Sequence, residues 1–261
     1  IVLGQLFKKG VEGEAGWKLL QYLANLDPDF VPMDIFKNWD VITKDELYAA
    51  TKALKSLSLV RVTFGGPGGG NRGFKFHRFI RDEAKEYATS HSGVSIPASV
   101  IVTNLIVKLE QLFPQVSNMP DESWDAARLY AASIRVIIDE TKLIDGGLVT
   151  PQLAAIMDRM GEYSKEVEQD FQVSLKYELR ALELKKLLWP EQNHPDVASS
   201  LNDVGIAYKA LGDAAKALRF QEEALEMRRA IYPGNHPSVA TILNNVGGAY
   251  WNLGDKVKAR L

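Results

Sequence analysis

Two hydrophobic periods share the first part of the chain, and one governs the rest. Trp17, Leu19, Leu20, Leu23 and Leu26 form a stripe at helical spacing over Ala15–Leu26, which Asp27-Pro28-Asp29 breaks. Val31-Pro32 leads into a short segment around Ile35 and Phe36. Thr43 then stands as an N-cap with Glu46 three residues on, the capping-box pattern, and Leu47, Ala50, Leu54 and Leu57 supply one apolar helix face. From Leu57 to Phe64 the period drops to two, with Leu59, Arg61 and Thr63 alternating against Val60, Val62 and Phe64. Gly65-Gly66-Pro67-Gly68-Gly69-Gly70-Asn71 reads as a flexible turn, after which Phe74 and Phe76 alternate with Lys75 and His77 in a return strand. Helical spacing resumes over Arg81–Tyr87.

Ser90–Pro97 reads as a linker, and everything beyond it is predicted helical. The segments are Ala98–Phe113, Ser123–Lys142, Pro151–Tyr163, Glu166–Leu188, Pro195–Leu211, Ala214–Tyr232 and Pro237–Leu253. Pro114, Gly146-Gly147, Gly161, Pro190, Gly212, Pro233 and Gly254 punctuate them. The expected fold is therefore mainly α. A small mixed domain covers 1–92, a helical arm covers 93–150, and paired helices stacked as an α-α superhelix cover 151–261.

The last segments repeat one another. His194-Pro195 and His236-Pro237 stand 42 residues apart, and LNDVGIAYKALGD recurs as LNNVGGAYWNLGD. Leu201, Val204, Ala207 and Tyr208 give the first helix of the full copy its apolar face. Ala217, Leu218, Ala224, Leu225 and Met227 face them from the second helix, and Gly212-Asp213 forms the turn. A third, degenerate copy lies upstream. ALELKKLLWPEQNHP matches ALEMRRAIYPGNHP with one extra residue before the His, and LAAIMDRMGEY keeps Gly161 and Tyr163 of the first helix. These residues resemble tetratricopeptide repeats in the long form seen in kinesin light chains and bacterial signalling proteins.

The resemblance implies a concave groove lined mainly by the first helix of each pair. Its positions here are Ser199, Asn202, Asp203, Ile206, Lys209, Thr241, Asn244, Asn245, Gly248, Trp251 and Asn252. Asn245 matches the family's peptide-clamping Asn, while Asp203 replaces it one repeat earlier. Amides suit a peptide backbone because they both donate and accept. Asn244 and Asn245 can equally bond neighbouring helices. Trp251 can anchor a partner or pack beneath a following repeat. The implied partner is a protein or peptide.

Roughly residues 14–88, including LLQYLANLDPDFVP and GFKFHRFIRDEAKEY, resemble the winged-helix domain of STAND signalling ATPases, the class that holds NB-ARC and NACHT proteins. In that family a His at the end of the wing touches the β-phosphate of bound ADP. His77, in Phe76-His77-Arg78, is the one residue of that motif present here. Its other reading is a cap on the strand end or a bond to a backbone carbonyl. There is no G-x-x-x-x-G-K-[ST], and GGPGGGNRG lacks the Lys-Ser/Thr pair, so it reads as a wing tip.

Composition narrows the chemistry further. The net charge is −2 and Cys is absent, so disulfides, thiolate metal sites and Cys nucleophiles are out. No HExxH, GxSxG or paired acidic motif occurs, and His194 and His236 recur at equivalent turns, so neither catalysis nor a cofactor nor a metal is expected. The Thr43–Leu57 helix has Lys44, Lys52 and Lys55 against Asp45 and Glu46, without Arg, Asn or Gln, so nucleic acid is not the expected partner. No apolar run reaches the roughly 18 residues that span a bilayer, and a cytoplasmic, membrane-free protein is expected. The start lacks Met and the final repeat stops at Leu261, so the chain reads as a piece of a longer one that can self-associate through its cut end. Taken together, the readings are a non-catalytic sensor segment of a STAND-type NTPase, a free-standing peptide-binding adaptor, or a transcription regulator with a repeat sensor.

Overall fold

A computed structural model describes residues 2–66, 69–116, 124–141, 147–190 and 193–260. Eleven α-helices and three strands occur among them. They fall into two units, one running to Pro114 and taking in residues up to Leu148, the other starting at Val149 with the short stretch at Gln115. Pro67 and Gly68 of the Gly-rich turn, Ser123 and Lys142 at the predicted helix ends, Gly146 and Leu261 lie outside the described residues.

The first unit contains α1 (Val2–Phe7), α2 (Val11–Leu23), β1 (Val31–Pro32), α3 (Lys44–Ser56), β2 (Arg61–Gly65), β3 (Asn71–Lys75), α4 (Arg78–Ser90), α5 (Ala98–Leu112) and α6 (Asp125–Thr141). The capping box at α3 is formed in full. Thr43 Oγ1 accepts from the Glu46 N–H at 3.2 Å, and the Glu46 carboxylate accepts from the Thr43 N–H at 2.8 Å. The sheet is antiparallel with strand order β1-β3-β2, and Phe74 lies opposite both Val31 and Val62. The sequence pattern predicts only β2 and β3, because two residues of β1 are too few to show a period. Phe36 and Phe74 meet edge-on at 5.9 Å in the core, and Tyr22 is buried beside Trp39. The mainly α architecture with this small sheet is compatible with a winged-helix-like element.

The segment predicted as a separate arm packs with this unit. The helix α5 contacts α2 and α6, and α6 contacts β1. Ile101, Val102, Leu105, Ile106 and Leu109 turn one face of α5 into the core. Lys108 on the same helix donates from Nζ to the carbonyls of Lys37 (3.0 Å) and Asn38 (3.3 Å). Ser92–Leu112 nevertheless has the length and mean hydropathy, 1.5, of a membrane span, against the expectation from sequence. The core-facing stripe accounts for part of that apolarity, since a third of the window is buried.

The second unit holds α7 (Pro151–Glu166), α8 (Phe171–Leu188), α9 (Pro195–Ala210), α10 (Ala214–Ile231) and α11 (Pro237–Asn252). Each packs chiefly on its sequence neighbour, as stacked helix pairs do. Leu182, Val197, Leu201, Val204, Leu225, Ile242 and Val246 share one core. The helix α7 runs three residues past the expected Tyr163, and α8 starts later than expected. Asp170 caps α8 by accepting from Gln172 and Val173, with Gln169 at φ 55 completing the turn. The degenerate copy lacks the Gly-Asp pair that marks this turn in the next repeat, so its boundary was hidden.

Candidate functional site

The turns between repeats are built from histidine. His194 Nδ1 accepts from the Asp196 N–H and His236 Nδ1 from the Ser238 N–H, both at 3.2 Å, capping α9 and α11 ahead of Pro195 and Pro237. Each ring also stacks on the aromatic residue that ends the previous helix. Trp189 lies 4.2 Å from His194 and Tyr232 lies 4.1 Å from His236, within 7° of parallel. His77 caps α4 in the same way, accepting from the Phe79 N–H at 3.1 Å. It is exposed and lines a cleft of about 510 Å³ together with Arg61, Lys75 and Arg78.

The structure distributes the eleven groove positions among different surroundings. Asn245 donates from Nδ2 to Asn202 Oδ1 at 2.8 Å, tying α11 to α9, and Asn202 Nδ2 lies 3.5 Å from Asp203 Oδ1. Ser199 Oγ accepts from Arg228 of α10 at 2.5 Å. A Cβ on Gly248 would stand 3.1 Å from Lys209 Nζ, so these two positions are neighbours. Thr241 Oγ1 bonds back to the Pro237 carbonyl, and both it and Asn252 are exposed. Asn244, Gly248 and Trp251 line a cleft of about 1030 Å³ beside α10. Trp251 is 59% exposed, with Lys256 Nζ 5.5 Å from its ring centre.

Ser199, Asp203 and Ile206 face a different feature, a cavity of about 310 Å³ that α7 and α8 also line. Sequence reasoning missed its other members. Lys185 is buried and lies 2.6 Å from Asp158 Oδ2, while its Nζ donates to Ser200 Oγ at 2.7 Å. Glu178 is 7% exposed, and its Oε2 has no hydrogen-bond partner among the described residues. Gly161 makes room for it, since a Cβ there would come within 2.4 Å of Glu178 Oε1. Burial pushes the Glu178 carboxyl well above the usual carboxylate range, and the charges of Asp203 and Asp158 push it further. Burial raises Asp203 to about 6, with Asp158 adding to the effect. Burial also raises Asp158, against the opposing pull of Lys185.

This arrangement repeats in form but not in charge. Gln221 occupies in α10 the place Glu178 holds in α8. It is fully buried over Gly205, whose Cβ would stand 2.6 Å from Gln221 Cγ. The signal for the site was therefore present in the sequence, as a Glu aligned with a Gln at a core position.

Helix pairs of this length, capped and stacked in series, define an α-solenoid of the helix-turn-helix repeat class. The model described as "Tetratricopeptide repeat" matches residues 152–230 and 196–261, so this part of the chain consists of tetratricopeptide repeats. Similar solved structures include BtubC (BKLC) from P. vanneervenii, with 17% identity over 70% of this chain and 74% of that one, at a TM-score of 0.46. A putative kinesin light chain from Podosopora anserina with nearly identical TPR-like repeats has 14% identity over 67% of this chain and 87% of that one, at a TM-score of 0.43. No curated protein matches the chain.

Proposed function

We propose that the repeats form a non-catalytic docking module for a protein or peptide. The observation that carries this reading is the C-terminal cleft, where Trp251 and Asn244 stand on a helix whose opposite face is core. An exposed indole lining a cleft, with the Asn244 amide beside it, is the kind of anchor enriched in binding hot spots. Asn245 and Asn202 serve instead to hold α9 and α11 in register, since each spends a polar atom on the other. The test is Asn244→Ala combined with Trp251→Ala, assayed against peptides selected from a displayed random library on the intact chain. Affinity should fall at least about tenfold with an unchanged unfolding midpoint. Unchanged affinity would overturn the reading.

A second reading concerns the context of the module. The sheet order β1-β3-β2 and the placing of His77 at the β3–α4 turn support a winged-helix element ahead of the repeats in sequence. Because Nδ1 is used by the cap, Nε2 is the atom of His77 available to an anion, and Arg61, Lys75 and Arg78 line the same cleft. On this reading the chain is the sensor side of a STAND-type NTPase, with His77 reading a nucleotide held by another domain. The gene's reading frame upstream of Ile1 decides it. A frame that encodes no P-loop leaves the free-standing adaptor.

A further inference from the structure

We infer that the cavity between α7, α8 and α9 receives one cationic side chain, an arginine or a lysine, of the docked protein. The inference rests on the docking reading above and gives it a chemistry.

Charge points that way first. The cavity is lined by the carboxylates of Asp158, Glu162, Glu178, Asp196 and Asp203 against the cations Arg159, Lys165 and Lys185. Those cations are already engaged. Lys185 holds Asp158 and Ser200, Lys165 lies 3.0 Å from Glu166, and Arg159 has contacts of its own. What remains unsatisfied is acidic. Glu178 is more than nine-tenths buried and lines the cavity, yet its Oε2 meets no donor among the described residues. Among the described residues, Asp203 receives only the long 3.5 Å contact from Asn202. Left alone, a carboxyl such as that of Glu178 is held protonated by its burial, and a cation brought in from outside favours its ionised, accepting form.

Size and geometry select among cations. Ligand pockets run from about 300 to 1,000 Å³, so a cavity of about 310 Å³ suits one side chain. The described residues contain no group of three His, Cys, Asp or Glu placed to hold a metal ion. A guanidinium or ammonium needs no such convergence, because its donors can reach separate carboxylates. Ile206 supplies an apolar wall for the aliphatic stem of such a side chain. Ser199, Asp203 and Ile206 belong to the same helix face that the repeat pattern assigns to the groove, so a peptide lying there reaches the cavity.

Glu178→Gln is the discriminating variant. It removes the ability to ionise and installs the residue that Gln221 already provides at the equivalent place, so the helix pair should fold, as circular dichroism and urea midpoints will confirm. Heptapeptides selected from a displayed random library against the intact chain should share Arg or Lys at one position. Replacing that residue by citrulline or norleucine should weaken binding on the order of tenfold in the wild type and hardly at all in Glu178→Gln. N-acetyl-argininamide should shift backbone amide resonances in α7–α9 of the wild type alone. Selected peptides with no basic position would overturn the inference while leaving the docking reading intact. No selected peptides, with no response to N-acetyl-argininamide, would overturn both. A response to N-acetyl-argininamide or spermidine without any peptide binding would overturn a protein as the source of the cation.

Discussion

Asp203→Asn should stabilise the repeats at neutral pH and do nothing in acid. The Asp203 carboxyl is raised from an ordinary 3.8 to about 6, chiefly by burial and then by the charge of Asp158. A raised carboxyl binds its proton more tightly in the folded state than in the unfolded one. The stability it contributes is therefore complete below about pH 4 and is lost as the pH rises through about 6. A difference of about two pH units corresponds to no more than about 3 kcal/mol, at about 1.4 kcal/mol per unit. Asp203 is half-buried, and screening by solvent trims that figure to about 1–2 kcal/mol. Asparagine keeps the shape and the acceptor that Asn202 approaches, and removes only the charge. The measurement is hydrogen exchange by mass spectrometry on peptides from α7–α9, in urea, at pH 3.5, 6 and 7.5. The two proteins should nearly coincide at pH 3.5 and diverge by about 1–2 kcal/mol at pH 7.5, the variant being the more stable. Glu178 and Asp158 are raised as well, so the wild type alone should gain stability on mild acidification. A variant less stable than the wild type at pH 7.5 would refute the reasoning, because it would mean that the charge is solvated or paired.

The close helix contacts and the histidine caps give two further tests, both read from urea midpoints. Gly161→Ala should destabilise by about 1–3 kcal/mol, since its Cβ meets Glu178 Oε1, and Glu178→Ala should relieve most of that loss. Gly205→Ala should resist rescue by Gln221→Ala, because its Cβ also stands 3.1 Å from the Ala217 carbonyl oxygen, which cannot withdraw. His194→Ala and His236→Ala should each lose about 1 kcal/mol for the cap and about 0.5–1.5 kcal/mol for the stacked ring. The corresponding Asn variants should recover the cap part alone, and full recovery would show that the stacking contributes nothing.

Local rules made most of the architecture readable. Thr43 with Glu46, Gly212 with Asp213, and His ahead of Pro each specify a helix end from within a few residues, and the structure forms all of them. The strand β1 escaped because pairing with β3, not its own two residues, makes it a strand. The groove was legible as a face but not as a surface. Spacing puts Asn202 and Asn245 on one side of their helices, yet only the packing of α9 on α11 reveals that each occupies the other. The acidic cavity lay further from view, because Asp158, Glu178 and Asp203 come from three helices and form no motif in sequence. It could still have been found by comparing the chain with itself. The position of Glu178 in α8 is that of Gln221 in α10, and both side chains press on a glycine of the preceding helix. Packing alone needs only the shape that glutamine supplies. A carboxylic acid of the same shape, buried without a donor, is more than the core needs, and a cation docking from outside the helix pair is what would hold it ionised.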